Sequence, residues 1–331
     1  MRQIMKIDNI AKSIPQDTDY PYISLPGLLL TAVDLKPDVF EVEDQGSIGS
    51  CTCNSSVSAC EMFTKESYSR LFPYWQTRNV IESRAGQEGA SLRDAIRSHF
   101  HFGLPLETQW VYDVTKENVQ PPTAAYADAF TRRVTRYENI SITAPDGVTM
   151  RPQDELIRDI QSALNEGLPV VFAASVGNLI FGLKGPWQTH VYPRCDTPFE
   201  NNNNPIVGFH AILIVGYDFA CKRFLVQNSW GTGYGDGGFF GMPYETLHYD
   251  ICEAWVIRGF KDKMIAQPPV PAPLDPKYKL DPKDVLTTYR NMRPTPPTDI
   301  NDPYVQWCAT NLTDINQIYD LGIKYLQSLK T

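Results

Sequence analysis

Four short apolar runs in the second half of the chain constrain its fold more than any other feature: PVVFAASV (169–176), HAILIVGYD (210–218), RFLVQNS (223–229) and EAWVIRGF (253–260). Each is rich in Val, Ile, Leu or Phe and is short or alternating, which is the pattern of a strand. Upstream, from about 31 to 140, the apolar spacing is helical instead. In SLRDAIRSHFHFG (91–103), Ser91 can cap a helix, Leu92, Ile96 and Phe100 share a face, and Gly103 can stop it. A helical half (about 31–140) followed by a strand half (about 141–262) is an α+β arrangement, and a cleft between two such halves is a common place for chemistry.

The two ends differ from this middle. Residues 1–30 form a polar lead punctuated by Pro15, Pro21 and Pro26. Residues 263–331 are rich in proline (QPPVPAPLDP, RPTPPTD), a composition that favours extended polyproline structure and cannot continue a sheet. The spacing of Leu312, Ile315, Ile318, Leu326 and Leu329 predicts a closing amphipathic helix, whose apolar stripe calls for a docking place on this chain or on a partner. The formal charge of −8 points away from nucleic acid and from anionic membrane surfaces. No segment has the roughly 20 apolar residues of a membrane span, and the N-terminal residues lack the apolar core of a secretory signal. The cysteines (51, 53, 60, 195, 221, 252 and 308) are odd in number and without CxxC spacing, which speaks against a disulfide framework and a structural zinc site. The expectation is a non-secretory, cytoplasmic protein, with virion association compatible.

Within QGSIGSCTCN (45–54) a glycine- and serine-rich loop runs into helix-like spacing, so Cys51 falls at a helix start. There the unpaired backbone N–H groups and the macrodipole favour a thiolate. The plainer reading is a small buried apolar residue. A cysteine nucleophile needs a base, and histidine has the suitable acidity. His99 and His101 lie on the predicted 91–103 helix, where exposed or half-buried packing is expected. His190 and His248 lie in aromatic-rich loops. His210 opens the HAILIVGYD strand, where it can face a cleft, although a lone histidine there is more often structural. Asn228 in QNSWGTGYGDGGFFG could orient its ring, with Trp230 lying over that hydrogen bond.

QGSIGSC, GFHAILIVGYD and QNSWGTGYGDGGFF, in that order, resemble the signature blocks of papain-like (C1) cysteine peptidases. Residues 69–113 resemble the connecting region of the compact bacterial and viral members, and VDLKPDVFEVEDQG (33–46) resembles the family's mature N-terminal strand. The resemblance covers roughly 31–260. It implies a two-lobed fold, a helical lobe plus an antiparallel β-barrel-like lobe, within a peptidase domain at 31–262. It implies a thiol endopeptidase that needs no metal or organic cofactor, acts on a polypeptide substrate and passes through a thioester. Cys51 would be the nucleophile, His210 its acid/base partner and Asn228 the orienter. Gln45 would bind the oxyanion together with the backbone N–H of Cys51. Gly89, Ala90, Phe209 and Trp230 would meet the substrate. The sequence departs from the family at Ile48 and Thr52, where a cysteine and an aromatic are usual, and at Gln87, the partner position of that missing cysteine. Only about 30 residues precede the implied mature start, so a short inhibitory lead is expected rather than a long prodomain, with Tyr20, Tyr22 and Leu25 available to fill subsites. Two alternatives stay open: an idle scaffold that binds partners, and an amidase or acyl transferase using the same site.

Overall fold

The strand half folds as one antiparallel sheet around β3 (Val170–Gly177), which is buried along its whole length. A run apolar on both faces suits a strand covered on both sides. Its neighbours are β4 (Ile206–Asp218) and β7 (Ile251–Phe260), and the order continues as β2-β7-β3-β4-β5-β6. Here β2 is Val134–Ile140, β5 Arg223–Gln227 and β6 Phe239–Pro243. A short β1 (Ala32–Asp34) pairs with β4, and β8 (Lys263–Met264) pairs with β7. This is a computed structural model that describes residues 10, 13, 19–24, 29–144, 149–189, 192, 203–247, 251–261, 263 and 264. Lys263 and Met264, the start of the 263–331 extension, continue the sheet as β8, contrary to expectation. The rest of the extension, including the predicted closing helix, together with His190, His248, Cys195 and Cys308, lies outside the described residues.

The division at residue 140 is corrected in two respects. β1 and β2 come from the stretch read as helical, yet both join the sheet. Their partners on β4 and β7 are more than 100 residues away, so no local signal identifies β2, whereas β1 overlaps the stretch whose family resemblance implied an N-terminal strand. Conversely, the strand half contains a helix, α5 (Gln153–Asn165). Its Leu156, Ile160, Ala163 and Leu164 are buried in the core cluster that also holds Phe172, Ile212 and Val226.

The helical half comprises α1 (Cys51–Thr64), α2 (Leu71–Gln76), α3 (Leu92–His101) and α4 (Thr123–Ala129). α1 is buried at every residue from Cys51 to Glu61, which makes it a central helix rather than an amphipathic one. Its poor helix formers satisfy their hydroxyls within the helix: Ser55 Oγ donates to the Cys51 carbonyl (2.9 Å) and Ser56 Oγ to that of Thr52 (2.7 Å). α3 starts as expected, with Ser91 Oγ accepting the Asp94 N–H. It stops at Gly103, where φ is +80° and a Cβ would lie 2.0 Å from the Ala129 carbonyl oxygen. Two details of its face differ from expectation. Phe100 remains 39% exposed, with its ring edge-on to Tyr137, whereas His99 is fully buried and hydrogen-bonded to Ser56 Oγ at 2.8 Å. Tertiary packing of α3 against both α1 and β2 covers the side that the stripe alone would leave to water.

The lead is anchored where it is described. Tyr22 N–H donates to the Asn139 carbonyl and Asn139 N–H to that of Tyr20, both at 2.7 Å, so this stretch pairs with β2. Tyr22, expected to be available for a subsite, is buried in the core of the strand half and donates its hydroxyl to Glu166 (2.6 Å). Asp19 grips Arg93 at the start of α3 through Oδ1 (2.6 Å to Nη2), and Ser13 donates to Glu253 (2.7 Å). Leu25 lies outside the described residues. Among the described residues, no helix is long and apolar enough to cross a membrane.

Candidate active site

Cys51 is the first residue of α1. The loop before it turns at Gly46, whose φ of +62° is costly for any residue with a Cβ. Gly49, the second glycine of that loop, is not in a positive-φ conformation. Ser50, at the N-cap, makes no side-chain capping bond, which leaves the first turn to other partners. Across the interface, the N–H of Ala211 donates to Cys51 Sγ at 3.5 Å. The sulfur of the helical half therefore lies beside β4, against the residue that follows His210.

His210 is on β4, and Asn228 directly follows β5. The polarity of their contact follows from its neighbours. The Ser229 N–H donates to Asn228 Oδ1 at 2.8 Å, so that oxygen is the acceptor, and His210 Nε2, 2.7 Å away, must carry the hydrogen. Nδ1 is then the basic nitrogen, and it is buried with no hydrogen-bond partner. Burial pushes the His210 imidazole down to about 4, with the Asn228 hydrogen bond acting in the opposite direction. Trp230 stacks on the His210 ring (4.9 Å, 24°) and also on Phe181 (5.6 Å, 10°). The backbone N–H of Asn228 donates to the carbonyl of Gly238. Gly238 has a φ of +98°, and a Cβ there would meet Val42 at 2.3 Å.

Gln45 is joined to the Asn228 loop by both backbone and side chain. Its N–H donates to the Ser229 carbonyl (2.9 Å), its Oε1 accepts the Ser229 hydroxyl (2.7 Å), and its Nε2 donates to the Ile48 carbonyl (3.2 Å). Gln45, Cys51, His210 and Asn228, singled out from three distant stretches, are thus brought together, and all four are buried. Ser229 was missed, although it stands inside the QNSW stretch. Arg70 and Tyr112, which support the loop from behind, were missed as well. Both fall in the 69–113 region, where nothing local marks them.

Among the described residues, one group of carboxylates is close enough to hold a cation: Glu41, Glu43 and Glu61, with oxygens within 4.8 Å of one another. Arg70 already pairs with Glu43 at 2.6 Å. Burial raises Glu43 to about 7 and Glu61 well above its ordinary range. The residues expected to meet substrate are more dispersed. Gly89 has a φ of +72°, Ala90 is buried against Ile48 and Cys53, Phe209 is 40% exposed, and Trp230 is 6% exposed. Cys53, Cys60 and Cys221 are free thiols. Burial pushes the thiol of Cys53 up to about 12 and that of Cys60 well above its usual range.

A helix-start cysteine set against a sheet that carries a histidine–asparagine pair under a tryptophan defines a papain-like α+β fold and a cysteine-type peptidase. The chain belongs to the papain family of cysteine proteases, whose family model matches residues 31–257. It is 30% identical over 238 residues to an uncharacterized peptidase C1-like protein of Acanthamoeba polyphaga mimivirus, covering 69% of this chain and 73% of that one. It is also similar to xylellain, a cysteine protease from Xylella fastidiosa, with a TM-score of 0.62 and 29% identity over 75% of this chain and 94% of the other. A senescence-specific cysteine protease of Oryza sativa subsp. indica is 25% identical over 69% of this chain, which spans only 62% of that relative's length.

Proposed function

We propose that the chain is a thiol endopeptidase in which Cys51 and His210 carry out acyl transfer from a peptide to water. The observation that carries this reading is the orientation of His210. Asn228 holds Nε2–H, so the unpartnered Nδ1 is left as the base, and Cys51 Sγ accepts the N–H of the very next residue. A buried imidazole resists protonation, and a thiolate beside it offsets that cost. Proton transfer from Cys51 to Nδ1 therefore produces a mutually stabilised pair. The thiolate attacks the scissile carbonyl carbon and forms a C–S bond, while the carbonyl electrons move to oxygen. Gln45 Nε2–H and the Cys51 backbone N–H receive that oxyanion. As the tetrahedral adduct collapses, the imidazolium gives its proton to the leaving amine and the C–N bond breaks, leaving a thioester. Water, deprotonated by His210, then attacks the thioester and releases the acid and Cys51. Gly89 and Ala90 offer backbone to an extended substrate, and Phe209 and Trp230 flank the side on which His210 meets the leaving group.

Active-site titration with an epoxide inhibitor, with and without Cys51→Ala, tests this reading alongside a panel of peptide, amide and ester substrates. Peptide hydrolysis lost in Cys51→Ala, and alkylation of buried Cys51 ahead of half-buried Cys221, are expected. Labelling of Cys221 before Cys51, or turnover of small amides and esters without peptides, overturns it.

A further inference from the structure

Behind the Gln45 loop, one guanidinium stands at the junction of the two backbone elements that would bind the oxyanion. Arg70 precedes α2, and its side chain is 11% exposed. Its Nη1 lies 2.6 Å from Glu43 Oε2, donates to Asn54 Oδ1 at 2.9 Å, and reaches the Asp44 carbonyl at 3.4 Å. The guanidinium also lies over the Tyr112 ring, 4.1 Å from its centroid. Glu43 and Asp44 lead directly into Gln45, while Asn54 is in the first turn of α1.

The direction of each hydrogen bond follows from this contact. A guanidinium has no acceptor, so Asn54 must present Oδ1 to Arg70 and turn its Nδ2 the other way. Nδ2 then donates to both the Ser50 carbonyl (2.9 Å) and the Ser50 hydroxyl (2.8 Å). The Ser50 hydroxyl, 2.5 Å from the Tyr112 hydroxyl, is left to donate to it, because the Tyr112 hydrogen is already committed to the Gln45 carbonyl (2.9 Å). A relay with one polarity therefore runs from Arg70 through Asn54, Ser50 and Tyr112 to Gln45. Such chains strengthen cooperatively in a dry setting. Both ends of the oxyanion site hang on it. The Ser50 carbonyl shares a rigid peptide plane with the Cys51 N–H, so holding the one aims the other. The Gln45 carbonyl fixes the backbone from which the Gln45 side chain reaches out.

We propose that Arg70 is a positioning residue for the reaction: through Asn54–Ser50 and through Glu43 and Tyr112 it sets the spacing between the Cys51 N–H and the Gln45 amide. This rests on the thiol-peptidase reading above. Lysine is a poor replacement, since its ammonium lacks the extended guanidinium whose carbon lies over the Tyr112 ring while Nη1 meets Glu43, Asn54 and Asp44. The effect is selective. A misaimed oxyanion site slows formation of the tetrahedral adduct but not simple alkylation of the sulfur, which builds no oxyanion.

The test compares wild type, Arg70→Lys and Tyr112→Phe in three measurements: turnover of a fluorogenic peptide, affinity for a peptide aldehyde, and the rate of iodoacetamide reaction at Cys51. The aldehyde carbonyl adds the sulfur and places its oxygen in the same site. Both variants should lose about tenfold in kcat with little change in KM, less than the roughly 10²–10³ of removing a donor outright. Aldehyde affinity should fall by a similar factor, while alkylation stays within about twofold of wild type. Unchanged kcat and aldehyde affinity overturn the proposal, as does alkylation that falls in parallel with kcat, which marks general damage to the site. Tyr112→Phe keeps the ring and decides the matter if Arg70→Lys does not fold. A wild-type protein that neither cleaves peptides nor alkylates selectively at Cys51 refutes the peptidase reading itself.

Discussion

Gln45 and Ser229, 184 residues apart, are joined twice: the Gln45 N–H donates to the Ser229 carbonyl at 2.9 Å, and the Ser229 hydroxyl donates to Gln45 Oε1 at 2.7 Å. The second bond holds Oε1 on Ser229 and leaves Nε2 as the donor, which points to the Ile48 carbonyl at 3.2 Å. Replacing Gln45 by Ala is expected to raise the barrier by roughly 2.7–4 kcal/mol, seen in kcat rather than KM. Ser229→Ala should produce a smaller loss of the same kind, since the donor remains but its amide can flip. Steady-state kinetics on one peptide reads both, and an effect confined to KM would remove Gln45 from the transition state.

Asn228→Ala should move a limb of the pH profile as well as lower kcat. The Asn228 hydrogen bond is the influence that raises the pKa of His210 against the pull of burial. Without it the imidazolium loses its proton at lower pH, so the alkaline limb of kcat/KM should shift downwards. A limb that stays in place while kcat falls would mean that Asn228 only supports the fold.

His99 gives a pH signature in stability that is separate from activity. Burial pushes it down to about 3 from an ordinary value of 6.5. Between these values the unfolded chain binds the proton more readily than the folded one, so stability falls as pH drops from about 6.5 towards 3. The full effect of this group is on the order of 4 kcal/mol. Urea unfolding across that range should show a shallower decline for His99→Gln than for wild type. Parallel declines in the two proteins would be the contrary result.

A chain shortened to begin at Thr31 should lose stability. Removing Tyr22 exposes the core of the strand half and takes a hydrogen-bond partner from Glu166, and removing Asp19 leaves buried Arg93 with Asp94 alone as its ion-pair partner. A loss of several kcal/mol is expected, measured by thermal or urea unfolding. The rate per titrated site in the same two proteins tests the inhibitory role proposed for the lead. Equal rates would make these residues a strap on the sheet edge and nothing more.

Much of this site was legible because its chemistry is written in local patterns. A glycine turn before a cysteine, a histidine heading an apolar run and an asparagine before a tryptophan each sit within a few residues of what identifies them. The strands β3, β4, β5 and β7 were legible for the same reason, as their apolar residues are continuous or alternate. What the sequence could not disclose depends on partners far along the chain. β2 is a strand because β7 pairs with it, and His99 is buried because α1 and β2 close over α3. Arg70, Tyr112 and Ser229 are ordinary polar residues in isolation. They acquire their places only when the loop carrying Gln45, the first turn of α1 and the segment after β5 come within hydrogen-bonding distance. Local chemistry is set by residue type and short spacing, whereas the polarity of a buried hydrogen-bond relay is set by which groups the folded backbone brings together, and only the tertiary structure decides that.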